Sequence, residues 1–314
     1  MDTINKEKDM KPRIIQRRDI NKQEWDKFVM ESPYGWAFHL YDVIGVDRYK
    51  EDKDISFAIY DEDKGQIALI AMLHIEYKES GNLLHSRYGI VPRSGLAHKE
   101  QKKLCNAYKE YIDSLCVKYN IKRLLAGTVP IAEALQPQKK ELVNPLMEYG
   151  YCPAATTPTY TWVCDINGDE EELIKKCEQT TRQALRKLEQ SNKYEIIEAD
   201  NNPEDYDDYV RLHIETYTRT GLADEILSDE YQRNIFNNMI PQGICRVFFL
   251  KEKEINENIA SVAILVYKNT AYYWWGSSVG EKEVGINKYL LWKSMMIVKD
   301  TYYRNGGMED NFWF

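Results

Sequence analysis

No apolar run in the sequence approaches the roughly 20 residues that span a bilayer, and the N-terminus, Met1-Asp-Thr-Ile-Asn-Lys-Glu-Lys-Asp9, lacks the apolar core of a signal peptide. A cytoplasmic location without a membrane span is the expectation. Cysteine is sparse and unpatterned: the six (Cys105, Cys116, Cys152, Cys164, Cys177, Cys245) show no CxxC spacing. Without a secretory signal they read as small buried hydrophobes rather than disulfides or zinc ligands. The five histidines (His39, His74, His85, His98, His213) form no HxxxH or HxH pair, so no metal is expected. Positive charge is in deficit. A net charge of −8 argues against DNA binding and against broad phosphate neutralisation, while leaving room for one local basic patch.

What is present is a globular composition, 43% hydrophobic and 29% charged, with 23 tyrosines and 7 tryptophans. At 314 residues the chain is long enough for two ordinary domains, and the pattern repeats. Asn21-Lys-Gln-Glu24 has the form of a capping box opening a helix through Met30, and a second short helix follows over Leu40 to Val46. Strand-like runs come next at Ser56 to Tyr60, Gln66 to Tyr77 and Leu83 to Ile90, then a long helix from His98 to Tyr119 and a short strand at Arg123 to Gly127. The second half repeats this order. Asn202-Pro203 caps a helix to Thr220, a helix spans Ser228 to Met239, and strands follow at Cys245 to Lys251, Ile259 to Tyr267 and Thr270 to Ser277. A helix from Asn287 and a strand near Met308 to Phe314 complete it. The first copy continues with a helix, Gln138 to Tyr149, and a strand, Thr159 to Asp165, that the second copy lacks. An apolar terminus directly after a core strand leaves a sheet edge to be covered, by missing elements or by a homodimer through the C-terminal strand. Between the copies, Asp169 to Asn192 carries Ile174, Cys177, Thr181, Ala184, Leu185 and Leu188 on one stripe, with an acidic start and a basic end.

Helix, helix, three antiparallel strands, helix, strand resembles the layout of the GNAT (Gcn5-related N-acetyltransferase) fold. Two such units in tandem resemble the Fem-type peptidoglycan bridge-forming transferases. Local stretches look like that family as well. Thr180-Thr-Arg-Gln-Ala-Leu-Arg-Lys187 is similar to its Arg-x-x-Ile-Arg-Lys-Ala segment. Tyr209-x-x-Leu-x-x-x-Thr216-x-x-Arg219-x-Gly221 is similar to its helix ending in Arg-x-Gly. Tyr272-Tyr-Trp-Trp-Gly-Ser-Ser278, Asn287-x-x-Leu-Leu-Trp292 and Gly307-x-x-Asp310 follow its strand, helix and Gly-x-x-x-Asp order, although Asp310 lies in Met-Glu-Asp-Asn where the family has an apolar residue and glycine. The resemblance implies an α/β (α+β) chain of two tandem GNAT-like acyltransferase domains with mixed sheets flanked by helices. Expected boundaries are 1–166 for the first, 167–194 for a linking amphipathic helix and 195–314 for the second.

The candidate site residues follow. Arg182 and Arg186 are four apart, share a helix face and suit a phosphate or carboxylate, or else complement the helix dipole. Arg219 faces a cleft or caps its own helix. Gly280 to Asn287 has free N–H groups at a helix start, but Glu281 and Glu283 repel phosphate and the loop does not match the acetyl-coenzyme A pattern Gln/Arg-x-x-Gly-x-Gly/Ala. Along Tyr272 to Trp275 alternation sends two aromatics to each face, so one pair is expected in the core, and Tyr273 with Trp275 is the candidate wall for a substrate. Asp310 is the candidate catalytic base, or a group that orients a substrate, or else a surface carboxylate near the terminus. His85 and Glu215 are lone polar residues with no identifiable partner. The co-substrate implied by the resemblance is an acyl-CoA (acetyl-CoA) or an aminoacyl-tRNA, and the acceptor a small-molecule or cell-envelope precursor amine. The linking helix turns back within 167–194, so the long helical arm of some of those transferases is missing, which favours the smaller donor. The alternatives are an aminoacyl-tRNA-dependent bridge transferase, with tRNA as partner, and a degenerate glycan- or nucleotide-sugar-binding protein.

Overall fold

The computed structural model describes residues 10–44, 52–86, 89–126, 163–280 and 283–305. They fall into two compact units, Met1–Thr161 and Trp162–Phe314. The expected helix 138–149, most of the strand 159–165, the strand 308–314 and Asp310 lie outside the described residues.

The first unit opens with a strand that its polar surroundings conceal, β1 (Pro12–Gln16). Then come α1 (Lys22–Glu31), α2 (Tyr41–Ile44), β2 (Asp52–Asp54) and β3 (Phe57–Asp61). Asn21 caps α1 as the sequence predicts, its side chain accepting from the N–H groups of Gln23 and Glu24. Each of the next two expected strands is broken in two: β4 (Gln66–Ala71) and β5 (His74–Glu76), then β6 (Asn82–Ser86) and β7 (Ile90–Pro92). α3 (His98–Lys118) and β8 (Ile121–Ala126) follow. The breaks divide the strands between two sheets, β1-β3-β4-β7 and β2-β5-β6-β8, the β6–β8 pair being parallel. At the first break the buried Ser56 hydroxyl accepts from the Leu73 N–H (3.0 Å) and donates to the Leu73 carbonyl (3.3 Å). A side chain thus takes over from the ladder where the strand turns away, as a buried backbone requires. The stripe Leu104, Cys105, Tyr108, Ile112 and Leu115 of α3 packs into a core with Phe57, Ile59, Leu69 and Leu84.

The second unit begins with two helices, α4 (Glu170–Lys176) and α5 (Gln179–Ser191), where the sequence suggests one. Cys177 and Glu178 are extended between them. The Arg182 guanidinium reaches back to donate to the carbonyls of Lys175 and Cys177, satisfying the end of α4. A second unforeseen edge strand, β9 (Tyr194–Glu198), leads to α6 (Pro203–Arg219) and α7 (Asp229–Asn234), which runs on as a π-helical turn, Ile235–Met239. Asn202 and Ser228 cap these helices through Asp205 N–H and Tyr231 N–H. β10 (Cys245–Glu252), β11 (Glu257–Tyr267), β12 (Thr270–Ser278) and α8 (Ile286–Arg304) complete the unit in an antiparallel sheet ordered β12-β11-β10-β9. One face buries Leu185 and Leu188 of α5 with Ile286, Leu290 and Met295 of α8 against Phe248, Val262 and Ile264. The other is covered by α6, which packs on β11 and β12. There His213 is fully buried, its ring 4.4 Å from that of Tyr217 and edge-on to that of Trp275 at 6.2 Å. Its Nε2 accepts from the Leu227 N–H at 3.2 Å, so the neutral ring carries its proton on Nδ1. Burial pushes its pKa down to about 4.

Two predictions follow from this packing. Gly285, at φ +91°, stands where a Cβ would meet the Cβ of Ala184 at 2.9 Å. Gly285→Ala therefore costs about 2 kcal/mol or more in urea unfolding, and Ala184→Gly in the same chain recovers the steric part but not the φ part. For His213, protonation favours the unfolded chain, whose pKa is the ordinary 6.5. Stability is thus complete above that pH and falls as pH drops towards 4, by about 3 kcal/mol in all. His213→Gln, which still accepts from Leu227, flattens this limb in denaturation curves taken at successive pH values.

Candidate active site

The strand β12 departs from alternation. Ala263 pairs with Trp275 but the next residue, Ile264, pairs with Tyr273, so Trp274 is the extra residue of a β-bulge. The bulge separates Tyr273 from Trp275, which strict alternation would place together. Trp274 and Trp275 both turn towards the α6–α7 side, 5.6 Å apart, with Trp274 edge-on to Tyr231 and Trp275 edge-on to His213. Tyr273, opposite the core residue Ile264, takes the α5–α8 face and is 55% exposed. Its hydroxyl lies over Gly276, where a Cβ would come within 2.2 Å of it. Glycine is what admits the ring there.

The end of β12 is held from α6. The Thr216 hydroxyl donates to the Ser278 carbonyl (2.9 Å) and accepts from the Ser278 N–H (2.7 Å). Arg219, one turn further along the same helix face, donates to the same carbonyl at 3.2 Å. The motif Tyr209…Thr216…Arg219 thus meets the strand motif at its last residue. Arg219 remains exposed and also lines a shallow surface with Arg211, Ile214, Glu215 and Thr218. Beyond Ser278, the Val279 N–H donates to the Ile259 carbonyl and Gly280 turns at φ +109°. The Arg219 Nε stands 3.8 Å from where a Gly280 Cβ would lie.

The connection into α8 is tied to the opposite layer. Glu283 pairs with Lys187 of α5 (2.8 Å) and accepts from the Tyr194 hydroxyl (3.3 Å), with Lys193 at 3.9 Å. The Lys187 hydrogen bond is the main cause holding the Glu283 carboxyl below its usual range. Of the two acidic loop residues expected to repel an anion, Glu283 is therefore neutralised by its own neighbours, and Glu281 lies outside the described residues. α8 is clamped to α4 and α5 through Tyr289 to Glu189 (2.8 Å) and Trp292 to Glu170 (2.9 Å).

The structure places the sequence candidates in two groups. Arg219 and Trp275 belong to the α6 side of the sheet. Arg182, Arg186 and Asn287 lie in the α5–α8 layer, where Arg182 is engaged in capping α4, while Arg186 and Asn287 are exposed. Thr216 and His213 escaped notice as site residues because their roles depend on β12 arriving beside α6. In the first unit, His85 is not alone: its Nε2 is 2.9 Å from the Glu76 carboxylate and its ring stacks on that of His74 at 4.7 Å. These contacts run between neighbouring strands, β5 and β6, and have no sequence spacing to announce them. Among the described residues no three His, Cys, Asp or Glu side chains gather as a metal site requires, and no helix is long and apolar enough to cross a membrane.

A family model described as an acetyltransferase (GNAT) domain matches residues 175–300, which run from the end of α4 through most of α8. No curated protein sequence matches the chain at a significant level. Among solved structures, FemX superposes with a TM-score of 0.61 at 15% identity, covering 93% of this chain and 86% of that one. A conserved protein of unknown function from Bacteroides thetaiotaomicron VPI-5482 gives 0.49 at 9% identity, with 90% and 86% covered. A tandem GNAT protein from the clavulanic acid biosynthesis pathway gives 0.46 at 8% identity, with 93% and 86% covered. The domain match lies on the segment that contains the bulged strand and its helix, and the FemX likeness extends over both units. The second unit thus carries a GNAT acetyltransferase domain, and over both units the chain shares the fold of FemX.

Proposed function

We propose that the protein transfers an acyl group from an acyl-CoA donor to an amine of a cell-envelope or polysaccharide precursor. The observation that carries the reading is the bulge in β12 followed by a glycine turn into the first turn of α8. Bulges re-aim strands beside reaction sites, and the N–H groups at a helix start suit the polar end of a donor. The amine nitrogen attacks the thioester carbonyl carbon. A C–N bond forms, the C–S bond breaks, and the nitrogen's proton leaves to a base while the thiolate departs. The protein's contribution is chiefly positioning, with backbone N–H groups at the bulged strand stabilising the oxyanion. In this reading the donor passes the open edge of β12, with Trp275 walling the acyl group on the α6 side and Tyr273 and Asn287 contacting the donor on the α5–α8 side. Arg219 steadies the strand end and binds substrate, and Arg186, beside the α4-capping Arg182, attracts the anionic part. Asp310 accepts the proton.

The second reading, an aminoacyl-tRNA donor, draws on the FemX likeness. Against it stand α4 and α5, of 7 and 13 residues, with no long helical arm beside them among the described residues. The net charge of −8 also suits a small donor better than a tRNA.

A thermal-shift series with acetyl-CoA, a uridine-diphosphate sugar and charged tRNA separates the donors. Acetyl-CoA at a hundredfold excess over its Kd stabilises the folded protein by about 2.7 kcal/mol and raises Tm; a rise with charged tRNA alone overturns the acyl-CoA reading. In a thiol-release assay, Arg219→Ala lowers kcat/KM by about tenfold or more. Asp310→Asn lowers kcat by about a hundredfold or more and removes the acid limb of the pH–rate profile.

A further inference from the structure

The first unit contains a concave site of different character. A cavity of ≈ 440 Å³ opens between the end of β1, the chain from β2 into β3 and the C-terminal half of α3. Among the described residues its lining includes four cations, Arg17, Arg18, Lys53 and Lys118, and one carboxylate, Asp54. That carboxylate is already used. One oxygen pairs with Arg17 Nε at 2.9 Å and the other accepts from the Ser56 N–H at 2.9 Å. Arg17 is itself buried, with its guanidinium 4.3 Å over the Tyr41 ring. Buried Arg17 and half-buried Asp54 form a neutral floor.

Three positive charges remain. Among the described residues, none of Arg18, Lys53 and Lys118 has a carboxylate within ion-pair distance. Elsewhere in this acidic chain cations do find carboxylates, as in Lys64–Glu100, Lys187–Glu283 and Arg246–Glu198. Lys53 and Lys118 both lie against one ring, that of Tyr119, at 5.7 and 4.9 Å from its centroid. The ring attracts each ammonium, but the two repel one another unless an anion joins them. Lys118 also complements the C-terminal dipole of α3. That accounts for one cation and leaves Arg18 and Lys53 without such a reason. The cavity wall adds a donor: the Tyr111 hydroxyl accepts from the Gln16 amide, so its own hydrogen is free to point elsewhere.

We propose that this cavity binds a small phosphorylated molecule carrying at least two negative charges. Arg18, Lys53 and Lys118 hold its phosphoryl oxygens and the Tyr119 and Tyr111 rings bound the rest. The volume is that of a small-ligand pocket. A concave, three-cation cluster suits one compact anion better than a nucleic-acid backbone, which needs an extended basic track with stacking platforms. The site is independent of the donor assigned to the second unit.

Pyrophosphate is the probe, measured by calorimetry on the full chain at low salt beside inorganic phosphate and a short single-stranded RNA. The expected result is saturable binding of pyrophosphate, tighter than that of phosphate. Arg18→Ala/Lys53→Ala should weaken it by about tenfold or more. Lys102→Ala/Lys109→Ala, on the exposed face of α3 outside the cavity, should leave it unchanged. All three cavity cations are exposed, so the variants should fold; Lys118→Gln alone gives a second reading of the same loss, and Lys118→Arg should restore it. Absence of pyrophosphate binding overturns the proposal, as does binding unchanged in both Arg18→Ala/Lys53→Ala and Lys118→Gln. RNA binding tighter than pyrophosphate and lost in the same variants overturns the small-molecule assignment.

Discussion

Thr216 takes both backbone hydrogen-bonding groups of Ser278, and the arrangement of the second unit depends on that pairing. Among the described residues β12 is an edge strand, so the groups on its outer side have no ladder to satisfy them. A single hydroxyl on α6 acts as donor to one and acceptor to the other, each bond contributing on the order of 1 kcal/mol and sparing a larger desolvation cost. Arg219 adds a charged donor to the same carbonyl. The strand end is therefore fixed relative to α6 while Val279 is still paired with β11, and the chain turns at Gly280. The bulge upstream makes this geometry usable. It brings two tryptophans to the α6–α7 side and sends Tyr273 to the other, so the strand presents different chemistry to its two layers.

Electrostatics around this strand is local and mostly self-compensating. Glu283 is matched by Lys187, and Lys293 by Glu170 and Glu189. Such exposed pairs contribute little stability each, but they leave the Glu283 carboxylate at the start of α8 matched by a cation despite the acidic chain. The cavity beside β1 and α3 is the converse. Its one carboxylate is used within the floor, and its outer cations face one another. The same rule of pairing makes the first arrangement self-sufficient and the second complete only with an anion.

The two units solve one folding problem in two ways. Both set an edge strand, helices, an antiparallel meander and a long helix in the same order. In the second unit the meander strands run unbroken for 8, 11 and 9 residues in one sheet. In the first, the strands break and part into two sheets, with the Ser56 hydroxyl making good the backbone at one break. That parting brings His85 beside Glu76 and His74.

Much of this was written in local sequence. Asn21, Asn202 and Ser228 announced helix starts because a cap is satisfied within three residues of itself. The strands Phe57–Asp61, Cys245–Glu252 and Glu257–Tyr267 announced themselves because continuous apolar runs bounded by turn residues leave few other structures. The tandem order was legible on the same grounds, whereas the acyltransferase fold rested on the resemblance of that order to the GNAT and Fem-type layout. The edge strands β1 and β9 were not, since five mixed residues become a strand only when β3 and β10 offer their edges. Nor was the bulge at Trp274, because register is a relation between two strands and alternation within one cannot reveal it. The break at Cys177, the pinning of Ser278 by α6, the His85–Glu76 pair and the three-cation cavity share this origin. Each joins residues through space, and only the tertiary structure decides which groups meet once the local elements have formed.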